Sequence, residues 1–385
     1  METARLTDPE YWQSDACDLR LNPQRPVDVA GLVDFIEQDL GILGAVVIPT
    51  SGTTGQPRFV VHTRKSLLAS AAAVNRHATV TRDDHWLAGL ATFHVGGLGI
   101  YARAMLSNSS VTSFEWDRWS RDGQAWTKAI EAAGATLASL TPTHLHDLVR
   151  HGVMSPRSLR GIFLGGGRID PGLLEEAKRL GWPIWPSYGS SEAGSQVATS
   201  LVGDCDRLEI LPCWEIRISD LNQCLALRGD ALFSGYVMRD AASDFARWQF
   251  LPASDAEGWH ETKDRVRLGE GTLSFLSRTD DTVKRKGELV SISALEQILA
   301  AQLEAIPFVV LPVPEPRSGV ELILIVAPES KRLIDLDVIN ESLSPVERIS
   351  QLLTRSSLPL TVSGKIDRDA LLQEFACEVR EWGDR

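Results

Sequence analysis

The residues Thr50, Ser51, Gly52, Thr53, Thr54 and Gly55 follow one another directly, and a cation, Arg58, stands three positions on. Glycine permits positive φ and lets backbone N–H groups face a ligand. Clustered N–H groups with Ser and Thr hydroxyls make a cradle for phosphate. The GxxxxGK[ST] spacing of the common phosphate loop is absent, so this is a cradle of another kind. The alternative reading of the stretch alone is a solvent-exposed turn.

Other segments carry chemistry of the same sort. SYGSSEAGSQ (187–196) puts an aromatic ring, a glycine, paired hydroxyls and a carboxylate in one short run. The ring can stack on a base, and the carboxylate can hold Mg²⁺ beside phosphates. FLGGGRI (163–169) reads as a strand ending in Gly165, Gly166 and Gly167, where a ligand can approach the backbone. Asp264, closing GWHETKD, can take ribose hydroxyls. SRTDDTVKRKGE (277–288) reads as a charged hinge or a solvated linker, and PLTVSGKIDR (359–368) sets Lys365 after Ser-Gly. Each segment alone also fits an ordinary loop or surface.

The elements that position these residues follow a pattern. Residues 26–40 have helical spacing, and GAVVIPT reads as a buried strand feeding the hydroxyl loop. TRKSLLASAAAVNRHA has helical composition with Thr63 as cap, which places the loop between a strand and a helix. Four further strand–helix pairs run from HWLAGLA to EEAKRLG, which predicts an α/β architecture with a largely parallel sheet. Residues 201–276 read as a β-rich subdomain. A fresh pattern then begins with the helix SALEQILAAQLE and the strands FVVLPVP and ELILIVAP. The expected organisation is a large α/β-layered domain over 1–278, containing the β-rich subdomain, and a small mobile α+β domain over 279–385.

Composition narrows the class. The chain has 385 residues, a net charge of -12, 43% hydrophobic and 23% charged residues. An acidic surface argues against nonspecific binding to nucleic acid or membranes, which are polyanionic. The five cysteines form no CxxC pair, so neither a disulfide framework nor a zinc site is implied. No apolar run reaches membrane-spanning length and no signal peptide is seen. A reduced, cytoplasmic protein is expected; its oligomeric state is not readable.

Taken in order, these segments resemble the AMP-forming adenylating enzymes: acyl-CoA synthetases, luciferase and nonribosomal adenylation domains. The likeness runs from about Val46 to Arg368. [ST]SG[ST]TGxPK appears as 50–58, YGxTE as 188–192, RGxxxxxGY in RGDALFSGY, the TGD aspartate as Asp264, GRxDD at 277–281 and PxTxSGKxxR at 359–368. The resemblance implies attack of a carboxylate on the α-phosphate of ATP, with Mg²⁺, then thiolysis of the acyl-adenylate by coenzyme A. It implies that Thr50, Ser51, Gly52, Thr53, Thr54, Gly55 and Arg58 hold the β- and γ-phosphates. Ser191 and Glu192 would bind the α-phosphate and the metal. Tyr188, Gly189 and Gly165–Gly167 would sandwich adenine, and Asp264 and Arg278 would hold the ribose. Lys365 would be the catalytic lysine of adenylation and Asp280 the hinge. His94, Ser190, Ser195 and Gln196 would line the acyl pocket, the last two holding a second carboxylate.

FHVGGLGI, SLTPTHLHDLV, FLGGG and SEAGSQVAT look more narrowly like the o-succinylbenzoate–CoA ligases of menaquinone biosynthesis. The alternatives are a ligase for another aryl or acyl carboxylate, acting on CoA or a carrier protein, and a non-catalytic nucleotide-binding relative. The chain departs from the motifs at Arg58 (usually Lys), Phe59 (Gly), Ser191 (Thr), Lys263 (Gly), Ser277 (Gly) and Lys286 (Gly). Arginine keeps the charge of lysine but not its shape. A lysine at 286 either obstructs the thiol or pairs with a CoA phosphate.

Overall fold

The computed structural model describes residues 2–23, 27–50, 58–115, 123–167, 169–239, 247–279, 281–285, 288–303, 306–315, 319–359, 366–368 and 370–375. The chain divides into two compact units, Met1–Thr262 with Leu268–Ser274, and Lys263–Arg267 with Phe275–Arg385.

The first unit is built on a parallel run of five strands: Ser110–Ser113, His85–Ala88, Leu137–Leu140, Gly161–Leu164 and Ile184–Tyr188, in that spatial order. Leu137–Leu140 and Gly161–Leu164 are buried at every position, as expected for strands covered on both faces. Helices Gln124–Ala133, Pro142–Arg150 and Pro171–Arg179 supply the crossovers, and their apolar stripes join a core that includes Trp126, Leu145, Leu148 and Leu174. Beyond Ile184–Tyr188 the sheet turns antiparallel through Ala198–Thr199 and Leu208–Ile210.

A second sheet of five strands carries Ala45–Thr50, Arg58–Thr63 and Gly235–Arg239 as antiparallel neighbours. Here the structure corrects the sequence reading. The hydroxyl loop joins two strands, not a strand and a helix, and Thr50 lies opposite Arg58. The cause is FVV at 59–61: one aromatic and two β-branched residues, all buried, favour a pleated strand. Thr63 still caps the helix Arg64–His77, its hydroxyl accepting the Ser66 N–H at 3.1 Å. The helix expected over 26–40 is confined to Leu32–Asp39, its last five residues π-helical, because Gly31 sits at φ +72°.

The second unit packs the helix Ile292–Leu303 on a three-stranded sheet. Phe308–Glu315 and Gly319–Val326 are antiparallel, and Gln351–Thr354, not foreseen as a strand, adds in parallel. Alternation sends Val310, Leu322 and Leu324 to the helix side and Val309, Leu311 and Ile323 to a second cluster with Leu358, Ile366 and Leu371. The charged stretch after Asp281 folds into a hairpin of Thr282–Arg285 and Glu288–Ser291, so it is not merely a linker. Among the described residues no helix is long and apolar enough to cross a membrane.

One carboxylate ties the amino ends of three parallel strands. Asp84 accepts from Thr136 Oγ1 at 2.7 Å, Arg160 Nε at 2.7 Å and Arg160 Nη2 at 2.8 Å. These residues immediately precede their strands, so the knot fixes register at the edge opposite the site. Burial works against the Asp84 charge, but the bonds from Arg160, Thr81 N–H and Thr136 outweigh it and hold its carboxyl below the ordinary value. Arg160→Ala is expected to cost about 1–3 kcal/mol near neutrality, toward the lower end because Arg160 is partly solvated. With the folded-state pKa depressed, the stability Asp84 contributes is present above its unfolded value near about 3.9 and lost as pH falls through the folded one. The gap between wild type and Arg160→Ala in urea melts should therefore shrink below about pH 4; a gap constant down to pH 3 would contradict the assignment.

Candidate functional site

The carboxyl ends of the parallel strands, where open α/β sheets bind ligands, gather most of the predicted residues that are among the described ones. Gly165–Gly167 follow Gly161–Leu164, Tyr188–Gln196 follow Ile184–Tyr188, and His94 follows His85–Ala88. Gly165 leaves room that a Cβ would fill, since that atom would lie 2.8 Å from Ser187 Oγ, and Gly166 sits at φ +81°. His94 opens the helix Val95–Ser107, its carbonyl accepting from Leu98 N–H at 3.0 Å.

The turn 188–196 is closed by a very near approach of backbone to backbone. A Cβ on Gly189 would lie 1.7 Å from the Ser195 carbonyl oxygen. Ser195 itself sits at φ +148°, a conformation side chains rarely adopt. Its hydroxyl accepts from Arg103 Nη2 at 2.9 Å. Ala193 N–H reaches Ser190 Oγ at 3.3 Å, and Gln196 is buried with its Oε1 accepting the Thr199 hydroxyl at 2.6 Å. Glu192 is half-buried; its Oε1 accepts the Tyr236 hydroxyl at 2.8 Å and its carbonyl accepts Phe233 N–H at 2.9 Å. Arg58 lies 5.8 Å from the centre of the same Tyr236 ring. Thr50, Arg58, Tyr236 and Glu192 thus form one connected patch.

Three residues of this neighbourhood were not singled out from sequence. Tyr236 was seen only as part of a motif. Arg103 lies on the third turn of the helix that His94 opens, and it is 1% exposed. Its guanidinium lies 5.3 Å from the Phe163 ring centre and 5.8 Å from that of Trp86; no carboxylate pairs with it among the described residues, and its Nε is buried without a partner. Burial pushes its pKa down to about 10, which still leaves it cationic at neutrality. The signal was a single charge inside the otherwise apolar GGLGIYARAML. His62, wholly buried, bonds Ser66 Oγ at 2.9 Å and the Ser191 carbonyl at 2.7 Å. Burial pushes its pKa down to about 4.

Asp264 and Arg278, both in the second unit, pair with each other at 2.9 Å. Ser51, Gly52, Thr53, Thr54, Gly55, Asp280, Lys286 and Lys365 lie outside the described residues. For a divalent cation the donor set is Glu192. Its Oε2 makes no bond among the described residues, and no group of three His, Cys, Asp or Glu side chains accompanies it there. A single carboxylate suits Mg²⁺ held mainly by substrate phosphates and water, so the residues fit that ion.

The fold and this site define an AMP-binding enzyme, and the chain belongs to that family: the family model matches residues 44–237. Among curated relatives, the 2-succinylbenzoate–CoA ligase of Salmonella typhimurium is 31% identical over 332 residues, 86% of this chain and 68% of that protein. The Escherichia coli ligase of the same name is 32% identical over 271 residues, covering 70% and 55%. Among solved structures, an arginine-to-lysine variant of E. coli MenE with bound OSB-AMS superposes with a TM-score of 0.69 at 28% identity, covering 86% and 68%. Bacillus subtilis o-succinylbenzoate CoA synthetase in complex with the acyl-adenylate intermediate OSB-AMP gives 0.68 at 26% identity, covering 85% and 68%.

Because Gly189 and Ser195 touch through their backbones, Gly189→Ala must open the turn. It is expected to weaken AMP binding at least about tenfold in calorimetry while leaving the chain folded by circular dichroism. Unchanged affinity would show that this closure does not shape the nucleotide site.

Proposed function

We propose that the protein is an ATP-dependent, AMP-forming ligase that converts o-succinylbenzoate to its CoA thioester in menaquinone biosynthesis. The observation that carries the substrate is Arg103. A buried cation without a carboxylate partner is expensive unless something compensates it. An acid with a second carboxylate compensates it on binding, whereas a monocarboxylic acid leaves it unpaired. Ser195, already bonded to Arg103, supplies a hydroxyl beside that charge. The relatives named above are ligases named for such an acid, or were solved with OSB-AMS or with the acyl-adenylate intermediate OSB-AMP.

The first half-reaction asks little of general acids or bases, because the attacking carboxylate is already ionised. Attack on the α-phosphorus of ATP expels pyrophosphate and gives the mixed anhydride. The thiol of coenzyme A then displaces AMP. Catalysis is positioning and charge neutralisation. The Thr50–Arg58 segment holds the β- and γ-phosphates, and Ser191 donates to the α-phosphate. Tyr188 and the Gly165–Gly167 backbone enclose adenine, Gly189 and Ser190 shape the adjoining turn, and Asp264 and Arg278 take the ribose. His94 borders the acyl pocket, and Gln196 lies with Ser195 on the side that takes the second carboxylate. Glu192 would hold Mg²⁺, which when bound would supply charge neutralisation at the phosphates. Lys365 bridges the acid and the phosphate during adenylation, and Asp280 is the hinge at which the small domain expected over 279–385 exchanges Lys365 for the thiol. A related B. subtilis enzyme was solved with ATP and magnesium ion.

ATP–pyrophosphate exchange tests this reading. o-Succinylbenzoate should support exchange and benzoate should not, and Arg103→Leu should raise the KM for o-succinylbenzoate about 10- to 100-fold while the KM for ATP moves little. Equal exchange with benzoate, or a loss confined to ATP, would sink the assignment. Lys365→Ala should depress exchange about 100-fold or more, yet leave thioester formation from preformed acyl-adenylate within a few-fold. Equal loss in both steps would remove its assigned role.

A further inference from the structure

The chain enters the turn 188–196 from one sheet, but the bonds that fix Ser191 and Glu192 come from the other. His62 lies on Arg58–Thr63 and Tyr236 on the neighbouring Gly235–Arg239, with Tyr236 opposite Val60. A carbonyl can only accept, so the His62 nitrogen facing Ser191 O, Nε2, carries the proton, and Nδ1 faces the Ser66 hydroxyl, which also lies 3.0 Å from the Thr63 carbonyl. The ring is neutral at working pH because burial keeps its proton affinity low. Gly194 closes over it: a Cβ there would come within 3.3 Å of His62 Cε1, and its φ of +63° favours glycine independently. A space-filling residue would need no donor here. This one spans 129 positions of sequence to satisfy the carbonyl of the residue preceding Glu192.

We propose that His62 is a positioning residue: its Nε2–H fixes the Ser191 carbonyl, and through it aims the Glu192 carboxylate at the metal that accompanies ATP. The inference rests on the metal-holding role given to Glu192 above. Loss of the donor would leave a buried carbonyl unpaired, and the turn would rotate to find another partner. That rotation moves Glu192 relative to the phosphates, whereas adenine, held by Tyr188 and the glycine strand end, stays in place.

Calorimetric affinities for ATP with Mg²⁺ and for ATP in excess chelator give a ratio that isolates the metal. Glu192→Gln should lower this ratio about tenfold. His62→Leu should lower it similarly, His62→Gln, which keeps an amide donor, should recover most of it, and the double variant His62→Leu/Glu192→Gln should fall no further than Glu192→Gln alone. Should His62→Leu fail to fold, Ser66→Ala, which frees the ring from its other side, should lower the ratio by about two- to fivefold. If Glu192→Gln lowers the ratio while the His62 and Ser66 variants do not, or if the effects simply add, His62 has no such role. If Glu192→Gln leaves the ratio unchanged, the metal assignment of Glu192 is wrong and the inference falls with it.

Discussion

The closure of the turn 188–196 on itself and onto the strand Arg58–Thr63 is the constraint on which the site depends. Gly189 must lack a side chain for the Ser195 carbonyl to approach, and Ser195 must accept a φ of +148° for its hydroxyl to meet Arg103. Strain of this kind persists only where its surroundings over-determine it. They do so here through the His62 bond to Ser191, the Phe233 and Tyr236 bonds to Glu192, and the Trp214 indole bond to the Gln196 carbonyl at 3.1 Å. On the proposed roles, one short segment would face nucleotide with one end and acyl group with the other.

Arg103 shows a trade between stability and selectivity. Its burial is unfavourable in the free protein, and two aromatic rings and one hydroxyl offset only part of that. On the proposed role, a second carboxylate on the substrate would restore the balance when it binds. Acids lacking that group would gain less, which is discrimination by an unpaired buried polar group rather than by shape.

The parallel α/β core was readable because its central strands are short, largely apolar runs separated by helical stripes. The glycines and hydroxyls of 187–196 were readable because close backbone approach leaves few residue choices. The strand Arg58–Thr63 was misassigned since FVVHT leads straight into a strong helix, which masked its β-favouring FVV, and its pairing on the far side with Gly235–Arg239 is a long-range event. Gln351–Thr354 escaped for the same reason: its four residues pair with Gly319–Val326. His62 left no sequence signal and Arg103 only a lone charge in an apolar helix, because the partner of each is distant in sequence. Alone, one looks like a core histidine and the other like a helix arginine.

The central claim is that a carboxylate attacks the α-phosphate of ATP. It is tested most directly with o-succinylbenzoate labelled with ¹⁸O in its carboxylates, incubated with ATP, Mg²⁺ and coenzyme A. Mass spectrometry should find one ¹⁸O transferred to the phosphate of AMP for each thioester formed, and none in pyrophosphate. Label in orthophosphate with ADP as the nucleotide product would mean attack at the γ-phosphate and would contradict the account.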